Sequence, residues 1–464
     1  MINFSIYDFI IIIFYFIIIL VIGLKTRTND KNDEDYLVAG RKITLPAFVA
    51  TLVSSFYGGI LGIGEFTYNY GVSSWLLNAF PYYFFITIFA FFLAKKIRKT
   101  ELFTIPEKLE NVYGRRVGIL GGVFVFLLVT PAPYILMLGV LVQVIFGWNL
   151  VLSMIITLIF SIVYLFKGGL RADIRVNIFE FVLMFLGFGI ILPFCIIRFG
   201  GLNYLNENLP AAHFSLTGSN SIQLIVVWFF IGSWALVDPS FHQMCYAAKS
   251  GSTAKAGVFI SLLFWFIFDF LTTTTGLYAA SYLKNIPDPK MSYPLLANDI
   301  LPPLAKGFFF VGMLATIMST LHTNIFISAT TLGKDIISKF KKNDDLSNKF
   351  TKIGIIITSI LSLGIAILIP SVVQIWYTIG TLIIPALLIS VISSYSKMLI
   401  VNERFIFMAM IVSFFVSLTY FILGYINKVN GMPVYFLGLE PLYPGLFLGL
   451  IIYFTGVILK NRSN

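Results

Sequence analysis

Apolar runs of the length that crosses a bilayer recur along the whole chain, separated by short polar connections. A membrane helix needs roughly 20 apolar residues to cover the hydrocarbon core. On that measure thirteen spans are expected, at 6–24, 43–65, 74–94, 117–146, 148–166, 174–197, 221–246, 257–281, 305–332, 353–369, 371–394, 405–426 and 444–459. The first could be mistaken for a cleaved leader. Asp8 on its amino-terminal side, basic residues only after it and the lack of a small-residue cleavage motif argue otherwise. The connections leave no room for a soluble domain. The two longest, 198–220 and 282–304, are still modest, and five prolines in the second predict a cap built of short helices.

Odd parity places the termini on opposite sides of the membrane. One set of alternate connections carries 27 of the 32 lysines and arginines, which by the positive-inside rule puts the amino terminus outside and the carboxyl terminus in the cytoplasm. Composition agrees: 58% of residues are hydrophobic, 11% are charged and the mean hydropathy is +0.91. A soluble domain has about 25% charged residues. A net charge of +11 would point to nucleic acid in a soluble protein, but here the charges sit in loops, and no nucleic-acid partner is expected. The two cysteines, Cys195 and Cys245, lie in or at the ends of apolar spans and read as small hydrophobes. Three scattered histidines and these cysteines do not supply the clustered groups of a membrane enzyme.

Two spans are poor helices. Segment 43–65 carries Ser54 and Ser55, then Gly58, Gly59, Gly62 and Gly64. Each interior glycine costs about 1 kcal/mol against alanine. This density predicts a break near 54–59, the alternative being close packing through small residues. Unwound backbone at membrane depth exposes carbonyls that can bind a cation. In 313–333, Thr316, Ser319, Thr320 and Thr323 recur at spacings of three and four and share one face. Such hydroxyls often only bond back to their own helix. As ligands, these oxygen donors suit a hard cation such as Na⁺.

At these residues the chain resembles the sodium/solute symporter family, whose members carry proline, pantothenate, sialic acid or galactose. The resemblance lies in AGRKITLPAFVATLVSS (39–55), TIPEKLENVYG (104–114), GGLRADIRVNIFE (168–180), DPSFHQMCYAAKS (238–250) and MLATIMST followed by SATTLGKDI (313–336). It implies an all-α integral membrane protein with a five-plus-five inverted-repeat, leucine-transporter-like core. Repeat one would be 43–197 and repeat two 221–394, with peripheral helices at 6–24 and 405–459. The first repeat then begins inside and the second outside, as inversion requires. The family's sodium site maps onto the carbonyls of Ser54, Tyr57 and Thr316 and the hydroxyls of Ser319 and Thr320. Some members hold a second sodium with an aspartate and further hydroxyls. The matching positions here are Asn177, His322 and Thr323, poor replacements, and that second site is expected to be absent. Met244 also stands where the family usually has arginine after Gln243.

Ionisable residues inside spans default to functional hypotheses. Asp173 and Glu180 lie near Arg171 and Arg175, with which they could pair at the interface. Asp269 has no basic neighbour in sequence and is either a substrate or proton contact or a buried hydrogen-bonded acid. Glu65 is placed to meet a substrate, whereas Asp238 with Pro239 reads as a helix distortion. His322 is either a resident positive charge or proton carrier, or a neutral ring bonded to Asn177. Candidate substrate contacts are Ser55, Phe56, Tyr57, Gly58, Trp228, Trp234 and Trp265, alongside Glu65 and Asp269. The expected function is sodium-coupled import of a small polar solute by alternating access, acting as a monomer. The alternative is proton coupling through His322 or Asp269. An AT-rich style of composition points to a bacterial inner membrane.

Overall fold

The computed structural model describes residues 2–28, 32–218, 220–341, 347–429 and 433–463, with side chains up to 460. Lys31, Lys342 and Arg462, counted among the charges of the basic connections, fall outside these residues or their described side chains. Along the chain the spanning helices are α1 (Ile6–Lys25), α2a (Leu45–Phe56) and α2b (Ile60–Tyr70), α3 (Ser73–Phe92), α4 (Arg115–Phe146), α5 (Leu150–Ile162), α6 (Leu165–Phe199) and α7 (Ile222–Ala247). They continue with α8 (Gly251–Tyr282), α9 (Ala305–Lys341), α10 (Ser347–Leu368), α11 (Val372–Ser394), α12 (Glu403–Ile426) and α13 (Leu442–Lys460). Eleven are long and apolar enough to cross a membrane, twelve with the bent pair α2a–α2b. The fifth predicted span shrinks to the 13 residues of α5, which at about 1.5 Å per residue reach only about 20 Å. Its predicted tail turns at Val163–Tyr164 and α6 starts nine residues earlier than expected, at Leu165.

Burial sorts the bundle. In α9, 94% of the most apolar window is buried, against 28% in α1, α12 and α13. Helix α9 is therefore the axis and the other three face outward. Without a hydrophobic drive between helices in lipid, close approach rests on small residues. Gly187 of α6 and Gly312 of α9 meet directly: a Cβ built on either lies 2.8 Å from the other's Cα. Gly312→Leu should cost at least about 1–3 kcal/mol by forcing these helices apart. An unchanged unfolding midpoint in detergent would rule out this crossing.

The amino end of α9 is held by α1. The buried Asp8 carboxylate accepts from the Leu304 and Gly307 amides at 3.1 and 2.8 Å, covering orphan donors at a helix start. The proline-rich connection forms the short helix Ser292–Ile300, as its composition predicts, and the 198–220 connection forms Leu202–Asn208.

Four spans are interrupted: α3 at Ala79, α4 over residues 129–131, and, where the site forms, α2 and α7. Helices α2a and α2b are bent by 58° across Tyr57–Gly59. Helix α7 breaks at Gly232–Ser233 and again at Asp238, which caps the segment Pro239–Ala247 by accepting from the Ser240 amide at 2.8 Å. The expected distortion at Asp238–Pro239 is thus a helix start.

Candidate functional site

The break in α2 strips carbonyls of their helical partners, and side chains take their place. The Val53 carbonyl accepts from the Trp265 indole at 3.2 Å. The Ser54 carbonyl accepts from the Ser319 hydroxyl at 2.8 Å and lies 3.4 Å from that of Thr320. Both hydroxyls also face the Thr316 carbonyl, at 3.0 and 3.5 Å. Two carbonyls therefore compete for two hydroxyl protons, leaving lone pairs over, a donor set that fits a hard cation. All four residues are buried. The glycines serve both readings of this segment. The chain unwinds there, and a Cβ on Gly58 would lie 2.4 Å from the Thr320 side chain, one on Gly59 2.2 Å from the Trp376 ring.

Beside this cluster lies a cavity of about 130 Å³. At roughly 10–15 Å³ per water-sized group it has room for about ten. Of the sequence candidates, Ser55, Phe56, Tyr57, Trp228 and Asp269 line it, as do Trp234 and Trp265. Gly58 and Glu65 do not: Gly58 is consumed by packing on Thr320, and Glu65 is half-buried further along α2b. Tyr57, expected to contribute its carbonyl, enters the cavity with its side chain. Its hydroxyl and that of Tyr83 donate to the two oxygens of Asp269. Thr320 borders both the oxygen cluster and the cavity.

A second polar centre joins α6 to α9. His322 Nδ1 lies 2.7 Å from an Asp173 oxygen and Nε2 lies 2.9 Å from a Glu180 oxygen, with all three side chains fully buried. Each contact needs a proton, so the three groups hold two between them. Tyr15 of α1 donates to Glu180 at 2.8 Å, and Thr323 donates to Asp173 at 2.9 Å. This corrects two expectations. Asp173 and Glu180 do not pair with Arg171 and Arg175: Arg171 binds Asp35, and Arg175 donates to Thr26 at 3.2 Å. Nor does His322 bond Asn177, whose amide donates instead to Asp173 and Thr323 at 3.0 and 3.1 Å. Helix α6 is kinked at Gly169, and on the stretch that follows the two acids face inward to α9 rather than to the interface. The Asn177 carbonyl accepts from Ser54 Oγ at 3.2 Å, which connects this centre to the oxygen cluster.

Sequence reasoning passed over Tyr82, Tyr83, Tyr134, Asn324 and Trp376, all of which line the cavity. They sit in runs rich in aromatic residues, where a pocket ring and a lipid-facing ring look alike. It also passed over Tyr15 and Tyr164, whose ring stands 5.8 Å from that of His322.

Comparison with known proteins agrees with this architecture. A sialic acid symporter described as Na⁺-coupled and outward-open superposes with a TM-score of 0.81 over 98% of both chains, at 17% identity. A nucleobase-cation-symport-1 family transporter does so at 0.62 over 93% of this chain and 96% of its own, at 14% identity. These likenesses give the fold, a leucine-transporter-like core. In sequence, a high-affinity choline transporter of Drosophila melanogaster is 22% identical over 79% of this chain and 63% of its own length. A sodium/glucose cotransporter of Vibrio parahaemolyticus is 22% identical over 75% and 72% respectively. The chain thus spans less than two thirds of the Drosophila relative. The model of the sodium:solute symporter family matches residues 36–412. The chain belongs to that family, one of transporters rather than enzymes, whose coupling ion is Na⁺.

Proposed function

We propose that this protein imports a small polar solute together with Na⁺ by alternating access. The observation that carries the reading is the Ser54 carbonyl, freed by the α2 break and met by Ser319 and Thr320 of α9. A sodium ion bound there would draw on Ser54, Thr316, Ser319 and Thr320, with Tyr57 contributing its carbonyl. It would tie the broken helix to the bundle axis while the adjoining cavity takes the solute. Relatives named for glucose and for choline are consistent with a small polar cargo.

The repeats are 43–197 and 221–394, and the break in the opening span of each, α2 and α7, supports that division. The protein works as a monomer in a bacterial inner membrane, amino terminus outside. In that orientation Arg41 closes the cytoplasmic end, its guanidinium donating to the carbonyls of Glu101, Leu102 and Tyr246 at 2.7, 3.1 and 3.1 Å. The hydrogen-bonded network at Asn177, His322 and Thr323 supports the reading that these residues do not form a second sodium site. Proton coupling through His322 is the weaker reading, because both ring nitrogens are engaged and the ring does not border the cavity.

Coupling is reciprocal: sodium should tighten the solute and the solute should tighten sodium by one factor, typically about 5–150-fold. Uptake of a mixed solute panel into proteoliposomes, with and without a sodium gradient, identifies the cargo. Equilibrium binding of that cargo at two sodium concentrations then measures the factor. Binding indifferent to sodium would overturn the reading.

A further inference from the structure

The cavity walls differ from those expected of a site for a neutral polyol or an anion. Nine of the lining side chains are aromatic. Around Phe56 they form a tight group, with ring centroids 5.3 Å from both Tyr82 and Trp265. Tyr134 and Trp376, 6.4 Å apart, form another wall. The only ionisable side chains among the lining residues besides tyrosines are Asp238 and Asp269, and no lysine, arginine or histidine lines the cavity.

The two acids are not equivalent. Asp238 faces the start of the segment Pro239–Ala247 and accepts from its backbone, where the helix end offsets negative charge. Asp269 sits in the middle of α8, buried, and its partners are the neutral hydroxyls of Tyr57 and Tyr83. Those hydroxyls orient the carboxylate without balancing it. A buried carboxylate without a counter-charge is costly, and none of the described cations pairs with it. Aromatic faces next to it attract a cation by their quadrupoles and would strip it of water at small loss.

We propose that the solute of this cavity is a small organic cation, a protonated or quaternary ammonium held beside Asp269 by the aromatic walls. The proposal rests on the transporter reading above. It adds the charge of the cargo, which that reading leaves open. The geometry assigns roles accordingly: Asp269 balances the charge, Tyr57 and Tyr83 hold the carboxylate in place, and the aromatic rings enclose the ammonium. Ser55, Asn78, Thr130, Ser240 and Asn324 are among the polar groups left for the remainder of the solute.

The test compares choline with 3,3-dimethylbutan-1-ol, which has the same shape but carbon in place of the charged nitrogen. Methylammonium serves as a smaller second cation. Each is titrated calorimetrically into purified full-length protein, with and without sodium, and into the Asp269→Asn variant. A cation should bind at least roughly tenfold tighter than the neutral isostere, and Asp269→Asn should erase most of that preference. Equal or tighter binding of the isostere overturns the proposal. So does failure of both cations to bind at millimolar concentration, or an Asp269→Asn protein with undiminished preference. The wild-type comparison stands even where the variant does not fold. Charge-selective binding that ignores sodium would sink the coupling and leave this inference intact. Sodium-driven uptake of neutral or anionic solutes in place of cations would do the opposite.

Discussion

Replacing both Ser319 and Thr320 by alanine should abolish the sodium dependence of solute binding while leaving the protein folded. The two hydroxyls are half of the four oxygens gathered around the α2 break, the others being the Ser54 and Thr316 carbonyls. A hydrogen-bond or ligand contact to a charged group is worth about 1.5–3 kcal/mol. Loss of two should weaken sodium by about 3–6 kcal/mol, roughly 10²–10⁴-fold. The structural alternative is that the hydroxyls only staple α9 to α2a. In that case the double variant melts earlier but its solute affinity still responds to sodium. Binding isotherms at low and high sodium, beside melting curves in both, separate the two. A retained sodium response at an unchanged concentration midpoint would remove these residues from the ion site.

His322→Ala should be among the most destabilising single substitutions in the chain. It takes away the group between Asp173 and Glu180 and leaves two fully buried carboxyl groups facing a hole. Breaking a buried charged pair by removing one partner costs about 3–5 kcal/mol, because the survivor stays buried without compensation. Here two survivors remain, partly satisfied by Tyr15, Thr323 and Asn177. Adding Glu180→Gln to His322→Ala should recover part of the loss, since an amide tolerates burial without a counter-charge. Thermal unfolding in detergent measures both. A melting temperature unmoved by His322→Ala would mean that the three groups do not form one network.

The two large effects were unequally visible before the fold was known. The oxygen cluster was legible because both of its halves leave local marks: glycines and serines where a straight helix should be apolar, and hydroxyls at three- and four-residue spacing. The Ser54–Ser319 contact spans 265 residues of chain, yet each partner stands out within its own helix. The histidine network was not legible. Asp173 and Glu180 have arginines close by in sequence, and pairing with those is the cheaper guess when the depth of α6 is unknown. In the fold both acids turn toward His322 of α9, while Arg171 meets Asp35 and Arg175 meets Thr26.

Asp269 shows the same limit from another side. Its isolation from basic residues could be read directly, as could its place in the middle of α8. Its partners could not, since Tyr57 and Tyr83 lie 212 and 186 residues away among many other aromatic side chains. A soluble helix reveals its inner face through an apolar stripe. A membrane helix is apolar on the lipid side as well as the protein side, so that stripe loses contrast and the direction of each side chain is lost with it.

Sequence alone determined that the chain is a multi-pass helical membrane protein, roughly where each helix lies and which two spans are weakest. These follow from length, hydropathy and the local cost of glycine, which act within one helix. Only the tertiary structure decided which polar groups meet, that α5 is short, and that one cavity gathers Asp238, Asp269 and nine aromatic side chains. Those depend on the rotation and depth of helices packed against one another, which small residues such as Gly187 and Gly312 set through contact and not through any pattern along a single span.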